Sequence, residues 1–264
     1  MYSILHNLLS DRHGETVFTC FGLWHFCYIA VIIFAIASVF FCVRGKGNTV
    51  WEKILDALIN LAFGIYIADF FLMPFAYEHI DIEKLPFHIC TAMCVACFFS
   101  RRHHRLKNYR THFALLGFLS NLVYLIYPAG VMWYGVHPLS YRVIQTLLFH
   151  GCMTAYGFLA LVFDAHGIRW KNCHKDLLVL AGMTLWAILG NTLYTGQAGN
   201  YNGYYNWFFV LRDPFYLLPE NIAPFVMPFV NILVFFAAEM LVYGAFSLIK
   251  KCSLKNTSKI CKYK

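Results

Sequence analysis

Seven long apolar stretches, separated by short polar segments, make up most of the chain. They run over about residues 20–43, 54–77, 86–100, 112–127, 139–164, 177–195 and 222–249. Lipid offers no hydrogen-bond partners, so uniformly apolar runs of this length form helices rather than barrel strands. The pattern predicts an all-α fold, a polytopic membrane bundle of seven transmembrane helices, with residues 1–264 as a single domain.

The composition agrees with a membrane location. Hydrophobic residues make up 60% of the 264 residues and charged residues only 13%, against about 45–50% and about 25% in a soluble domain. These figures exclude a soluble enzyme and favour a multi-pass protein of the cell membrane. The start, MYSILHNLLSDRHGE, lacks a basic region followed by an apolar segment and a cleavage site, so we expect no cleaved signal peptide.

Lysine and arginine residues predict the orientation of the bundle. Seventeen of the 21 lie after the first, third, fifth and seventh spans or just before the next span, and the remaining four are Arg12, Lys84, Arg142 and Arg212. Cytoplasmic loops collect positive charge, so we predict the N-terminus outside and the C-terminus in the cytoplasm. The net charge of +8 then reflects topology and attraction to anionic lipid, and indicates no nucleic-acid partner.

Several polar side chains lie inside the spans, where an ionisable group is costly and therefore marks a candidate site. The predicted helix directions place six of them in the outer half, where we expect them to line one cavity: His25, Asp69, His88, Cys90, Gln145 and Asn191. For Asn60, Asn121 and Gln145, interhelical hydrogen bonding alone is a sufficient explanation. Asp56 and Glu239 lie near span ends, within expected reach of water.

The third span, LPFHICTAMCVACFFS, contains the strongest candidate nucleophile. We expect Pro86 in the first helical turn and Cys90 one turn later, close to free N–H groups that favour a thiolate. Cys94 and Cys97 continue the same face, where we expect them to be packing residues. Two cysteines spaced CxxC on a continuous helix are a weak zinc signal, and we expect no metal.

A general base for this thiol must come from another helix. His88 points away from Cys90, because residues two positions apart on a helix are about 200° apart. His150 in the fifth span lies at a similar predicted depth. Such a pair permits attack of a thiolate on an ester carbonyl, with the histidine as general base. We expect Asp69 or Asn191 to orient His150, as the third member of a triad does.

Two further segments are expected on the outer side of the membrane. The third span is too short to cross about 30 Å of hydrocarbon, so residues 78–85 are expected to dip into the bundle. Residues 196–221, rich in Tyr, Asn and Gly, are expected to form an aromatic cap over it. Arg142, near the same interface, is suited to bind a lipid phosphate with two parallel hydrogen bonds.

Five stretches carry a family resemblance: LWHF with His25, LPFHIC with Cys90, SYRVIQTLLFHG with His150, Asn191, and YNWFFVLRDP with Asn206 and Arg212. Their order over about residues 20–245 resembles the YwaF-type bacterial integral membrane proteins, which are related to the animal transmembrane protein 164 acyltransferases. The resemblance implies transfer of a fatty acyl chain between phospholipids or other acyl lipids. The acyl chain would be held by the residue matching Cys90, with His150 matching an essential histidine, and no cofactor is expected.

Two other functions stay open on the sequence. A membrane lipid or ester hydrolase uses the same Cys/His pair with water as the acceptor. A transporter or receptor uses the outer polar pocket without a covalent step, although the absence of repeat symmetry counts against transport. In all three cases a second group of residues is expected to bind substrate or support the site: His25, Asp69, His88, Arg142, Gln145, Asn191, Asn206 and Arg212.

Overall fold

The structure is a computed structural model that describes residue 6 and residues 8–77, 82–132, 134–164, 167–194 and 205–261, and the side chains of these residues except 73, 76, 77 and 249–261. Within these residues the regular structure is helical. The principal helices are α1 (Leu23–Val43), α2 (Asn48–Tyr77), α3 (Ile89–Ser100), α4 (Arg110–Ile126), α5 (Tyr141–Phe163), α6 (Cys173–Leu193) and α7 (Ala223–Cys261).

Six of these helices are long and apolar enough to cross a membrane. The exception is α3, whose 12 residues extend about 18 Å at 1.5 Å per residue, less than the roughly 30 Å of the hydrocarbon layer. Each of the seven predicted stretches overlaps one of the seven helices. The prediction of a polytopic helical bundle is therefore confirmed. The predicted re-entrant segment and aromatic cap lie partly outside the described residues.

Several helix boundaries differ from the predicted spans; the largest difference is at α7, which ends at Cys261 rather than residue 249. Helix α2 begins at Asn48 rather than residue 54, because a helix can continue beyond its apolar part and its first turns carry Glu52. Helix α3 begins at Ile89 rather than residue 86. Before it, Ile82–Lys84 form a 3-10 turn, and His88 is extended with φ −72° and ψ 142°. The expected position of Pro86 in the first helical turn was therefore wrong.

Helices α4 and α5 form the centre of the bundle. Gly157 of α5 permits their close approach, since a Cβ at this position would lie 2.7 Å from the Cβ of Phe118 and 2.9 Å from the carbonyl oxygen of Ala114. Helix α2 also packs against α5, α3 packs against α4, and α7 packs against α6 and α4. Helix α1 is peripheral, because only His25 and Val43 are buried along its length.

The short helix α3 lies between two apolar clusters. One cluster joins α3 to α2 and α5 through the buried Cys94 and Cys97. The other joins α3 to α6 and residues 205–210 through Met93 and the preceding Phe87. Cys90 packs against both clusters. The start of α3 is thus held inside the protein, which allows a helix too short to cross the membrane to keep a fixed position.

The two ends of the bundle differ in charge. One end, which we call the cationic end, contains the connections from α1 to α2, from α3 to α4 and from α5 to α6. There Arg101 binds the carboxylates of Glu52 and Asp56, and Arg110 donates to the carbonyl of Ser100 at 2.7 Å. Asp56 is therefore the ninth residue of α2 rather than near a helix start, but it lies near the cationic end with an arginine as its partner. We call the other end the opposite end.

Replacing Gly157 by alanine should destabilise the bundle by about 1–3 kcal/mol, because the new methyl group meets backbone atoms that cannot yield. Gly64 of α2 is the matched control, since a Cβ there meets nothing within 4 Å. Gly64→Ala should be neutral or stabilising by up to about 1 kcal/mol through helix propensity. Chemical unfolding in mixed micelles measures both changes. Equal effects at the two glycines would contradict the close packing of α4 and α5.

Candidate functional site

The segment before α3 is held at the opposite end by aromatic side chains. Trp186 of α6 donates its indole N–H to the carbonyl of Pro86 at 2.7 Å, and Trp207 donates to the carbonyl of Glu83 at 3.3 Å. The ring of Phe87 packs directly on Gly190 of α6, where an added Cβ would lie 2.4 Å from the ring. These contacts fix the position at which α3 begins.

Cys90 is the second residue of α3 and is partly buried. The Ser120 hydroxyl of α4 lies close to its thiol. The first-turn N–H groups of a helix have no intrahelical acceptor, and at this helix start no side chain caps them. Because α3 begins later than expected, Cys90 is inside the first turn, where the positive end of the helix dipole acts most strongly.

His150 of α5 is buried and held by α4. Its Nδ1 lies 2.7 Å from the Oδ1 of Asn121, and its ring stacks on Tyr124 with the ring centroids 3.8 Å apart. The amide group of Asn121 donates through Nδ2 to the carbonyl of Gly117 at 2.7 Å, which leaves Oδ1 as the acceptor. Nδ1 of His150 therefore carries the proton in a neutral ring, and its Nε2 carries the lone pair.

The Nε2 atom is the one that can act as a base. Among the described residues, no group forms a hydrogen bond with Nε2 of His150. Lys84 and His88 at the opposite end lie within electrostatic range of the His150 ring. The structure thus brings His88, Cys90 and His150 to the same region of the bundle.

One turn of α4 contacts both candidate catalytic side chains. Ser120 lies close to the Cys90 thiol, and the next residue, Asn121, binds His150. Tyr124, one turn further, stacks on His150 and lies within electrostatic range of Cys90. A cysteine, a histidine and an asparagine that sets the histidine tautomer form a known combination for nucleophilic catalysis.

Sequence reasoning missed these α4 residues as members of the site. Asn121 was expected only to join helices, and Asp69 or Asn191 was expected to orient His150; the structure gives that position to Asn121. The available signal was the polar pair Ser120 and Asn121 within the apolar stretch LLGFLSNLVYLI. Composition alone does not distinguish an asparagine that joins helices from one that holds a histidine.

Asp69 of α2 has other partners. Its carboxylate pairs with Lys84 at 2.9 Å and accepts a hydrogen bond from the hydroxyl of Tyr141 at 3.0 Å. Tyr66, one turn earlier on α2, donates to the carbonyl of Lys84 at 2.9 Å. Asp69 and Tyr66 therefore fix the segment that leads into α3.

His25 and Gln145 are not joined to His150 by hydrogen bonds. His25 accepts the backbone N–H of Phe21 at Nδ1, 3.0 Å away, and therefore donates from Nε2 to the carbonyl of Leu125 at 2.8 Å. With both nitrogens bonded, it ties the start of α1 to the end of α4. Gln145 is partly buried and accepts the hydroxyl of the neighbouring Thr146 at 3.2 Å.

Arg142 of α5 is engaged by a protein carboxylate. Its guanidinium group binds Asp11 through Nε at 3.0 and 3.1 Å and through an Nη atom at 3.0 Å. The same group lies over the ring of Tyr134, 3.8 Å from the centroid. Binding of a lipid phosphate by Arg142, as expected from the sequence, would require Asp11 to move or to share the guanidinium group.

Asn191 and Asn206 organise the loop before α7. Asn191 accepts the backbone N–H of Trp207 at 3.2 Å and donates to its carbonyl at 3.1 Å. Asn206 accepts the N–H of Leu211 and of Arg212, each at 3.1 Å, and donates to the carbonyl of Arg212 at 3.1 Å. These bonds position Trp207, which in turn holds the segment before α3.

The end of this loop contains a second turn built on charged residues. Arg212 pairs with the exposed Glu220 at 3.4 Å. The carboxylate of Asp213 accepts the backbone N–H groups of Phe215, Leu217 and Leu218. Hydrogen bonding, first of all from Phe215, holds the pKa of Asp213 below its ordinary value. Arg212 and Asp213 therefore contribute to loop structure.

Two apolar cavities lie beside the helices that carry Cys90 and His150. One, of about 330 Å³, lies among α1, α4 and α5 and includes Ile32, Leu122 and Phe158. The other, of about 580 Å³, lies between α3 and α6 and includes Met93 and Met183. Neither is lined by Cys90 or His150. Within the described part of the chain, no group of His, Cys, Asp and Glu side chains is suited to hold a metal ion.

Comparison with known proteins gives one match. The family model described as the TMEM164 family matches residues 20–246, which confirms the family resemblance noted in the sequence. No curated protein and no solved structure matches the chain.

Asn121→Ala should lower the free energy of unfolding by about 1–3 kcal/mol, because it leaves the buried Nδ1–H of His150 without an acceptor. Asn60→Ala is the matched control, since Asn60 binds Arg102 on the exposed side of the cationic end. It should change stability by no more than about 0.5 kcal/mol. Chemical unfolding in mixed micelles distinguishes the two. Equal losses would show that the Asn121–His150 bond contributes nothing specific.

Proposed function

The chain belongs to the TMEM164 family, and from that premise we propose that it is an integral membrane acyltransferase that carries a fatty acyl chain on Cys90. The observation that supports this proposal most strongly is the hydrogen bond from His150 to Asn121. It leaves Nε2 of His150 unprotonated, and the turn of α4 that holds His150 also lies close to the Cys90 thiol. Phospholipids, or other lipids with ester-linked acyl chains, are the proposed substrates.

In the first half-reaction, His150 Nε2 takes the proton from the Cys90 thiol, and the thiolate attacks the ester carbonyl of the donor lipid. The negative charge that develops on the carbonyl oxygen is stabilised by the uncapped N–H groups at the start of α3. The C–O bond to the lipid alcohol then breaks, and Nε2 returns the proton to that oxygen. A thioester on Cys90 and a lysolipid are the products.

In the second half-reaction, the acceptor hydroxyl of another lipid gives its proton to His150 Nε2, and its oxygen attacks the thioester carbonyl. The C–S bond breaks and the proton passes to the Cys90 sulfur, which restores the starting state. In both half-reactions the same histidine nitrogen first accepts a proton and then returns it, so a single Cys/His pair is sufficient for the transfer.

The surroundings of Cys90 favour a lipid acceptor over water. The thiol packs against two apolar clusters, and α3 starts inside the protein. The apolar cavity between α3 and α6 offers space for an acyl chain along the helix that carries Cys90. Because water is scarce at such a position, a thioester there would persist until an acceptor alcohol arrives.

A phospholipid with a labelled acyl chain tests the proposal. Wild-type protein in lipid nanodiscs should gain the mass of that chain on Cys90, and Cys90→Ser should not, because a hydroxyl is a far weaker nucleophile than a thiol at neutral pH. His150→Ala should slow the labelling by about 10²–10⁴-fold, as expected for loss of a general base. Intact-protein mass spectrometry measures the adduct.

Cys94→Ala and Cys97→Ala are the matched controls, since both thiols are buried further along the same helix and should not affect labelling. Transfer predicts that the label leaves Cys90 when a lysolipid is added and reappears in that lipid. Release as free fatty acid would instead favour the hydrolase. A persistent adduct in Cys90→Ser, or its absence from the wild type with every phospholipid offered, would contradict the proposal.

A further inference from the structure

A second buried group of ionisable side chains lies near the cationic end, in the other half of the bundle from Cys90. His112 of α4 contacts Asp176 of α6, with 2.6 Å between Nδ1 and Oδ1. The hydroxyl of Tyr243 of α7 donates to the other oxygen, Oδ2, at 2.6 Å. All three side chains are buried, and Asp176 is completely inaccessible. The group joins the three helices α4, α6 and α7.

Glu239 of α7, one turn before Tyr243, belongs to the same group. It was expected near a span end within reach of water, but it is completely buried. Among the described residues, neither of its carboxylate oxygens has a hydrogen-bond partner. Asp176 lies within electrostatic range of it. Glu239 is therefore offered no donor, because the nearby donors His112 and Tyr243 are directed at Asp176.

An ionised Glu239 is incompatible with these surroundings. A buried carboxylate without a donor loses its hydration without compensation, and the negative charge of Asp176 adds repulsion. The protonated acid removes both penalties. A metal ion is a poorer fit, because both Asp176 oxygens already have donors and the described residues form no metal-binding group of His, Cys, Asp and Glu.

We propose that Glu239 and Asp176 form a proton-binding site, in which Glu239 carries the proton in the folded protein. The O–H bond forms with a proton from water at the cationic end. Both oxygens of Asp176 serve as acceptors, for His112 and for Tyr243. The bound proton permits α7 to pack against α4 and α6 without two facing negative charges.

The titratable groups around the site come from all three helices. They are His112 from α4, Asp176 and Cys173 from α6, and Tyr243 on α7 itself. Trp170, in the turn before α6, packs against the Tyr243 ring with 5.6 Å between centroids and carries no titratable group. The pH dependence that belongs to Glu239 must therefore be isolated by substituting this residue alone.

The sign of the pH effect follows from which state holds the proton. Above the ordinary pKa of a glutamic acid, the unfolded chain has released the proton of Glu239 and the folded chain retains it. Folding then takes up one proton, so stability falls as pH rises until the folded state also releases it. When folding takes up one proton, the folding equilibrium constant falls by up to tenfold for each unit of rise in pH in this interval.

Glu239→Gln and Glu52→Gln test the proposal as a matched pair, because Glu52 is exposed and paired with Arg101. In infrared spectra of the full-length protein at neutral pH, the wild type and Glu52→Gln should show the carbonyl band of a protonated carboxylic acid, and Glu239→Gln should lack it. Unfolding at a series of pH values measures how the folding equilibrium constant depends on pH. This constant should fall with rising pH less steeply in Glu239→Gln than in the wild type, by a factor of up to ten per pH unit.

Retention of the band in Glu239→Gln, or an unchanged pH slope, would overturn the proposal. So would failure of Glu239→Gln to fold, since glutamine matches the neutral acid in size and charge. A last control compares the wild type in a buffer whose cation is choline with the wild type in sodium or potassium at the same ionic strength. Loss of the carboxylic acid band in sodium or potassium would assign the site to a metal cation instead. None of these outcomes involves Cys90 or His150, so the acyl-transfer proposal is tested separately.

Discussion

The hydrogen bond between His150 and Asn121 is the interaction on which the candidate site depends. It joins α4 to α5, the two helices at the centre of the bundle. Since Asn121 is itself held by the carbonyl of Gly117, the tautomer of His150 is set by the backbone of α4. A neutral histidine with an unprotonated Nε2 is what a thiol nucleophile requires of a general base. Close packing at Gly157 keeps the two helices at the distance that this bond needs.

The position of Cys90 depends on a second constraint, the placement of α3. A helix of 12 residues cannot set its own depth by matching the thickness of the membrane. Its depth is set instead by Phe87 against Gly190 and by indole hydrogen bonds from Trp186 and Trp207. The loop asparagines that position Trp207 thereby act on the site at a distance. This explains how motifs that are far apart in the sequence serve one place in the structure.

The hydropathy pattern was sufficient to predict the seven helices, because lipid leaves the backbone few alternatives. It also placed Cys90 and His150 at similar depth. It did not predict Asn121 as the partner of His150, because an asparagine inside a span has the same signature whether it joins helices or orients a base. The late start of α3 after Pro86 and the burial of Glu239 were missed for a related reason. Both depend on tertiary contacts with α6 and α7, which local sequence does not encode.

The protonation state of His150 tests the central claim most directly. In protein labelled with ¹⁵N-histidine, the signals of His150 can be assigned by their loss in His150→Gln. At neutral pH, nitrogen NMR in lipid bilayers should show a neutral ring with the proton on Nδ1 and an unprotonated Nε2. An Nε2–H tautomer, or an imidazolium, would contradict the account, because neither leaves a lone pair on Nε2 to accept the proton of Cys90.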